Sequence, residues 1–419
     1  MFYVGLDIHS KRISLCALSE TGQLVRRAQV RTIDEMMRIL EALPERFEVC
    51  YEASCGYGHY HDLLSPIAAR VTVAHPGRLR LIFRSKDKND RKDAERLAKL
   101  LYLGEAPAVH VPSADVRTWR ELITCRSRVI AKRTRAKNSV RSLLRCAGVV
   151  PPTRPRLWTK GGMEWLRRLE LPTASQRLRR DLLLEEVEAL TSQSRRIEQQ
   201  LNHQAGRSPA VAVLRTIPGV GVRTAEAVAA FVDDPHRFRG AKAVGRYFGL
   251  VPSQDQSGDR NRLGHITREG PAVVRQLVAE ATWQAIRRSP TVRAYFERVR
   301  RGDPQRKKIA LVATAHYLVR VMWALLKLGT VWEEGHTAAH GPNGHATEVA
   351  KPSICSNKHA ARRSGSDGHR RRRASGSERG GDPLIPGEVG GVAGGHPAGM
   401  SPASCRRAGV LIATSCTSG

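Results

Sequence analysis

Apolar and polar positions along the chain change period several times. From Tyr3 to Val30 the apolar residues fall in three short runs, Tyr3–Ile8, Ile13–Leu18 and Leu24–Val30, with a Glu20-Thr21-Gly22 turn between the last two. That pattern predicts a β-meander. Ile33, Met36, Met37, Leu40 and Leu43 then recur at helical spacing. Phe47–Tyr51 reads as a strand, Gly58–Ala69 as a helix, Val71–Ala74 as a strand, and Arg91–Leu103 as a helix after a basic, polar stretch from Arg78 to Asn89. Three strands followed by alternating helices and strands give an α/β domain with a mixed sheet, placed at residues 1–110.

Residues 111–205 are predicted to be helical. Asp115–Cys146 is dense in cations, and Ser175–Leu201 carries Leu183, Val187, Leu190, Ile197 and Leu201 in alternating steps of four and three broken only by Ser194. The second pattern suits a helical hairpin, a dimerising coiled coil, or packing against the chain's own domain. Residues 206–334 read as a mostly helical domain with a Gly-rich loop around Ser253–Gly270. In residues 335–419, Gly, Ser, His, Pro and Arg dominate, which predicts a disordered basic tail. It is either a nucleic-acid-binding extension or read-through in another frame.

Charge decides the class of partner. The 419 residues carry a formal net charge of +31, which favours a phosphate polymer through counterion release. Neither an apolar run near eighteen residues nor a signal peptide is apparent, so no membrane partner and a cytoplasmic, nucleoid-associated site are expected. The 8 cysteines form no C-x-x-C pair and suggest neither zinc nor disulfides.

Four carboxylates stand out against this basic background. Asp7 lies inside the apolar Val4-Gly5-Leu6-Asp7-Ile8 and Glu52 near the end of the run Phe47-Glu48-Val49-Cys50-Tyr51-Glu52-Ala53, positions with no packing use for an acid. Asp90 and Asp93 open a helix three residues apart and share a face, with Asp87 an alternative to Asp90. Converging acids repel one another unless divalent cations lie between them, and oxygen ligands select Mg²⁺ or Mn²⁺. The chemistry of such a set is phosphodiester cleavage. A capped helix start is the bland alternative for Asp90 and Asp93.

Further along, Thr216-Ile217-Pro218-Gly219-Val220-Gly221 runs into an apolar helix from Val222. In this helix-hairpin-helix pattern Pro218, Gly219 and Gly221 are the expected DNA contacts, the two glycines letting backbone N–H groups approach a phosphate closely. Beyond it, Gln256-Ser257-Gly258-Asp259 reads on its own as a turn, with Arg260, Arg262 and Arg268 nearby as candidate DNA contacts.

The fragments Gly5-Leu6-Asp7-Ile8-His9-Ser10-Lys11, Tyr51-Glu52-Ala53 and Lys88-Asn89-Asp90-Arg91-Lys92-Asp93-Ala94 resemble the DEDD motifs of the IS one-ten family of insertion-sequence transposases. The resemblance spans roughly Tyr3–Trp332. It implies an RNase H-like, RuvC-like nuclease domain with Asp7, Glu52, Asp90 and Asp93 as metal ligands. It also makes Ser257, after Phe248-Gly249-Leu250-Val251-Pro252 and before Gly264-His265-Ile266-Thr267, the catalytic serine, ahead of Ser253 and Thr267. DNA, a structured guide RNA held by the cationic helices, and a homo-dimer or tetramer are the implied partners. The competing expectations are a site-specific invertase of the same family, a junction-resolving hydrolase in which water attacks, and a non-enzymatic nucleic-acid-binding protein.

Overall fold

The computed structural model describes residues 1–54, 56–83, 90–257 and 260–335, without the side chains of Asp90, Arg91, Ser257, Arg260 and Asn261. The expectation for the tail therefore lies outside the described residues, except for Gly335, and so does the alternative Asp87.

The meander forms as predicted: β1 (Phe2–His9), β2 (Arg12–Leu18) and β3 (Leu24–Val30) pair antiparallel. Helix α1 (Ile33–Glu41) follows, opened by a Thr32/Glu35 capping box in which the Thr32 side chain accepts from the Glu35 N–H at 3.2 Å. The backbone N–H groups of Arg31 and Thr32 hold the Glu35 carboxyl below its ordinary pKa. Strand β4 (Phe47–Glu52) returns parallel to β1. After α2 (Tyr57–Leu64), strand β5 (Arg70–Ala74) adds parallel to β4, giving the order β3-β2-β1-β4-β5.

Helix α2 stops at Leu64 instead of running to Ala69, because Pro66 has no N–H to donate to the carbonyl four residues before it. Within the polar stretch an additional short helix forms, α3 (Pro76–Ile82). Pro76 presets its first turn, and the His75 ring accepts from the Gly77 N–H at 3.0 Å.

Both sheet faces are covered. Val4, Leu6, Val49, Tyr51 and Val73 pack with Met36, Leu40 and Leu64 on the side of α1 and α2. On the other face Cys50 and Ala74 meet Leu79 of α3 and Leu97, Leu100 and Leu101 of α4 (Asp90–Tyr102). Burial drives the Cys50 thiol pKa up to about 12, so this cysteine is an inert core residue.

Two 33-residue helices follow, α5 (Ala114–Cys146) and α7 (Ala174–Gly206), with α6 (Lys160–Arg168) between them. They pack on each other within the chain, joined by an Arg126–Glu198 ion pair at 2.7 Å. Near their turn Val140, Leu144, Leu166 and Leu184 make a small core of their own.

The last region is built around α9 (Val222–Val232), which is buried on nearly every side and follows α8 (Pro209–Arg215). After α10 (Ala241–Tyr247), the Gly-rich segment is a two-stranded hairpin, not a plain loop: β6 (Pro252–Ser257) pairs antiparallel with β7 (Arg260–Ile266). Its polar residues lack an apolar face, so nothing in their period announces strands. Helices α11 (Ala272–Arg288), α12 (Pro290–Arg300) and α13 (Lys307–Leu328) complete the region. Contrary to the sequence expectation, Pro304–Leu328 is apolar enough over its length to match a membrane span, alone among the described residues. Leu318, Val319 and Met322 are nevertheless wholly buried in the protein core, where such a helix is equally at home.

Candidate active site

Strand register brings the first two carboxylates together. β1 and β4 run parallel with Leu6 opposite Tyr51, so Asp7 and Glu52 follow side by side at the carboxyl end of both strands. Leu6 and Tyr51 point into the α1/α2 core, and strand alternation turns Asp7 and Glu52 toward the opposite face, the one that α4 covers.

The direction of α4 then decides where its acids fall. Tyr102 packs edge-on against Tyr3, with ring centroids 5.4 Å apart, while Ala94 and Ala98 lie over Gly5. The helix therefore runs antiparallel to β1, and its amino end, with Asp90 and Asp93, lies toward Asp7. Gly5 permits this approach: a Cβ there would sit 2.0 Å from the Ala94 carbonyl oxygen. Sequence reasoning passed over Gly5, although a glycine inside an apolar strand is a signal of close approach.

Asp7 is only 14% exposed and its Oδ2 lies 3.1 Å from His9 Nε2. Glu52 is exposed. Asp93 accepts from Arg96 at 2.9 Å, and the Arg96 guanidinium in turn lies over the Phe83 ring at 5.3 Å. Asp90 is the first residue of α4, with its side chain outside the described atoms. Among the described residues no three His, Cys, Asp or Glu side chains are already gathered closely enough to hold a metal ion. The donor set itself, all carboxylate oxygen at one end of a sheet and a helix amino end, fits a hard divalent cation.

In the last region, Pro218 and Gly219 lie in the turn between α8 and α9. Gly219 has φ +91°, and a Cβ on it would meet the Ala285 nitrogen of α11 at 2.4 Å. Its missing side chain thus serves helix packing. Gly221 has nothing within 4 Å of its would-be Cβ, which leaves the amino end of α9 open to approach. Ser257 ends β6 opposite Arg260, the first residue of β7. Arg262 is exposed on β7, and Arg268 is exposed just past the hairpin with φ +56°.

Electrostatics join these regions. Glu226 of α9 is only 1% exposed and lies 3.0 Å from Arg223. Loss of hydration outweighs that neighbour and raises its pKa to about 7. At the other end of α9, Arg120 of α5 donates to the Ala230 carbonyl at 2.7 Å, and Arg237 donates to the Val232 carbonyl at 2.9 Å. Two cations thus cap the negative end of the helix. On α5, Arg128, Lys132, Arg135, Arg141 and Arg145 are exposed, and Lys137 and Arg141 both lie over the Trp158 ring, at 4.9 and 5.5 Å.

Comparison with known proteins assigns both regions. Residues 4–148 match the DEDD transposase family of the IS110 type, and residues 211–297 match the transposase IS116/IS110/IS902 family. The chain belongs to the IS110 family of transposases. It is similar to a "Probable family 20 transposase" of Pseudomonas aeruginosa, 28% identical over 338 residues that cover 79% of this chain and 98% of that protein. It is similar also to the "Transposase for insertion sequence element IS1111A" of Coxiella burnetii, 26% identical over 77% of this chain and 89% of that one. A third relative, the "Insertion element IS110 uncharacterized 43.6 kDa protein" of Streptomyces coelicolor, is 31% identical over 36% of this chain and 37% of its own length. The transposase is a DNA-cleaving enzyme, and a DEDD domain implies dependence on a divalent metal. The first match contains Asp7, Glu52, Asp90 and Asp93, and the second contains the α8–α9 turn and Ser257.

Proposed function

We propose that the transposase cuts and rejoins DNA with two sets of groups, the carboxylates Asp7, Glu52, Asp90 and Asp93 and the hydroxyl of Ser257, so that residues 1–110 act as a RuvC-like, RNase H-like nuclease domain. One observation carries the proposal: parallel register of β1 with β4, and an antiparallel α4 packed on Gly5, bring all four acids to one end of the sheet. When bound, Mg²⁺ or Mn²⁺ there supplies charge neutralisation and polarisation of the phosphate.

The protein's own part is the transfer. Ser257 Oγ attacks a backbone phosphorus, an Oγ–P bond forms, one P–O bond to sugar breaks, and the serine proton passes to the acidic set as the freed sugar oxygen gains one. A hydroxyl from another DNA end later attacks the phosphoserine, and Ser257 leaves with its proton restored. Residues 206–334 hold the duplex through a helix-hairpin-helix contact, for which the open Gly221 at the amino end of α9 is the support. Arg260, Arg262 and Arg268 neutralise the phosphate.

Residues 111–205 take a structured RNA encoded beside the gene, on the strength of the exposed cations of α5. The enzyme works as a dimer or tetramer at the nucleoid, with residues 335–419 as a tail. The test uses duplex DNA spanning the ends of the parent element, together with the flanking transcript. Cleavage should require the divalent ion and vanish in Asp7→Asn and Glu52→Gln. A covalent protein–DNA adduct should form and be lost in Ser257→Ala; cleavage without any adduct would mean a water nucleophile, as in a junction-resolving hydrolase.

A further inference from the structure

The geometry points to Arg275 as the positioning residue of the serine hairpin, a single guanidinium that ties both legs of β6–β7 to helix α11; this role rests on Ser257 being the nucleophile. Arg275 lies in the first turn of α11, and its Nη1 is 3.2 Å from the Phe248 carbonyl oxygen, 3.1 Å from that of Gly270, and also donates to that of Glu269. Phe248 precedes β6, whereas Glu269 and Gly270 follow β7. One side chain therefore closes the base of the hairpin across 20 intervening residues, 249–268.

Backbone at this base packs directly on backbone, with no side chain as a spacer. Gly249, at φ +63°, has the Glu269 nitrogen and oxygen 2.4 Å from where a Cβ would stand, and Gly270, at φ +66°, has the Tyr247 oxygen 2.1 Å away. The Thr267 N–H donates to Val251 at 2.9 Å and the Arg268 N–H to Gly249 at 3.3 Å. Partial burial and the neighbouring Arg268 both pull the Arg275 pKa down from its ordinary value, yet an arginine stays charged at neutral pH. Its hydrogen bonds to carbonyls are therefore the charge-assisted kind.

Past this base the described residues of the hairpin project into solvent. Residues 252–256 of β6 and 262–265 of β7 are all exposed. Ser257 stands five residues beyond Pro252, a reach of about 17 Å at about 3.3 Å per residue. A tilt of about 5° at the base moves the serine by about 1.5 Å, and displacement by about 1 Å is enough to cost about 10²-fold in rate. Arg275 touches no reacting atom in this arrangement; it acts through the place it gives Ser257.

The experiment compares full-length wild type, Arg275→Ala, Arg275→Lys and Ser257→Ala on the duplex and transcript above. Under single-turnover conditions adduct formation in Arg275→Ala should fall about 10²-fold, while DNA affinity stays within a factor of about three and added guanidinium ion restores part of the rate. Amide hydrogen exchange should quicken within residues 249–270 and nowhere else. If Arg275→Ala fails to fold, Arg275→Lys, which keeps the charge and one donor direction, should show the same local loosening and a smaller loss of rate. Unchanged adduct formation in a folded Arg275 variant overturns the role, as does a loss of rate accompanied by loosening throughout the chain. Persistence of the adduct in Ser257→Ala, or its absence in wild type, removes the serine mechanism and this role with it. Exchange at 249–270 reports on the anchor whichever way Ser257 behaves, so the two failures are distinct.

Discussion

The two regions that bear the proposed chemistry are held by opposite means. Asp7 and Glu52 extend from the central pair of a five-stranded sheet, with helices on both faces and hydrogen-bonded neighbours on both edges of each strand. Ser257 ends one leg of a two-stranded hairpin, whose polar strands are tied to helix α11 at their base. Groups that must share an ion need fixed mutual distances, and a sheet provides them. A nucleophile on a projecting hairpin, as proposed for Ser257, depends instead on how firmly the base of that hairpin is anchored. The acids are thus held from several sides by a sheet, and the proposed nucleophile through one anchored base.

That contrast can be broken most directly at the sheet end. Asp7→Asn should lower strand cleavage about 10³-fold or more, equivalent to about 4 kcal/mol of barrier, with the fold unchanged by circular dichroism. A residual rate near wild type would separate the acids from the chemistry. Next in size is Gly5→Val, which forces α4 off the sheet. Overpacking of this kind costs about 2–3 kcal/mol, read as a lower midpoint in urea, and the shifted α4 should abolish cleavage as well.

At the hairpin base, Gly270→Ala combines a left-handed backbone with a clash on the Tyr247 carbonyl. It should slow adduct formation more than it lowers overall stability, the reverse of Gly5→Val. A subtler probe is Glu226. Its folded pKa of about 7 lies above the unfolded carboxylate value, so the folded state holds the proton more tightly, and stability falls as pH rises from about 4.5 to about 7. Glu226→Gln should flatten that dependence, which is worth on the order of 3 kcal/mol at most, and calorimetry from pH 5 to pH 8 reads it. Smallest of all is Gly221→Ala. With open space around it and φ −82°, it should change stability by no more than about 0.5 kcal/mol, whereas Gly219→Ala, jammed against α11, should cost several times more.

Much of the first region was legible because its elements have strong periods. The three meander strands, α1, β4 and α4 fall within two residues of where the hydrophobic pattern puts them. Helix α2 ended early at a proline whose effect outweighed the apolar spacing, and α3 was hidden by its arginines. In the last region α9 could be read from its continuous apolar run. The β6–β7 hairpin could not, since strands exposed on both faces leave no alternation to detect. For the site, Asp7 and Glu52 betrayed themselves as acids where packing has no use for them. Gly5 and Arg275 did not, because their roles depend on backbone that comes near them only after folding: α4 in one case, and residues 248 and 269–270 in the other.

Helix α5 touches both regions within a single turn. Arg117 pairs with Asp62 of α2 and fills the space beside Gly58, while Arg120, three residues on, grips the carboxyl end of α9. From Arg120 to Cys146 the helix extends about 39 Å at about 1.5 Å per residue. Any rotation of the sheet domain against α9 is therefore amplified along a stiff rod: about 5° at the gripped end sweeps the distal turn, with Trp158 and its attendant cations, through about 3 Å. Whatever polyanion rests on that distal turn is mechanically geared to the separation of the two halves.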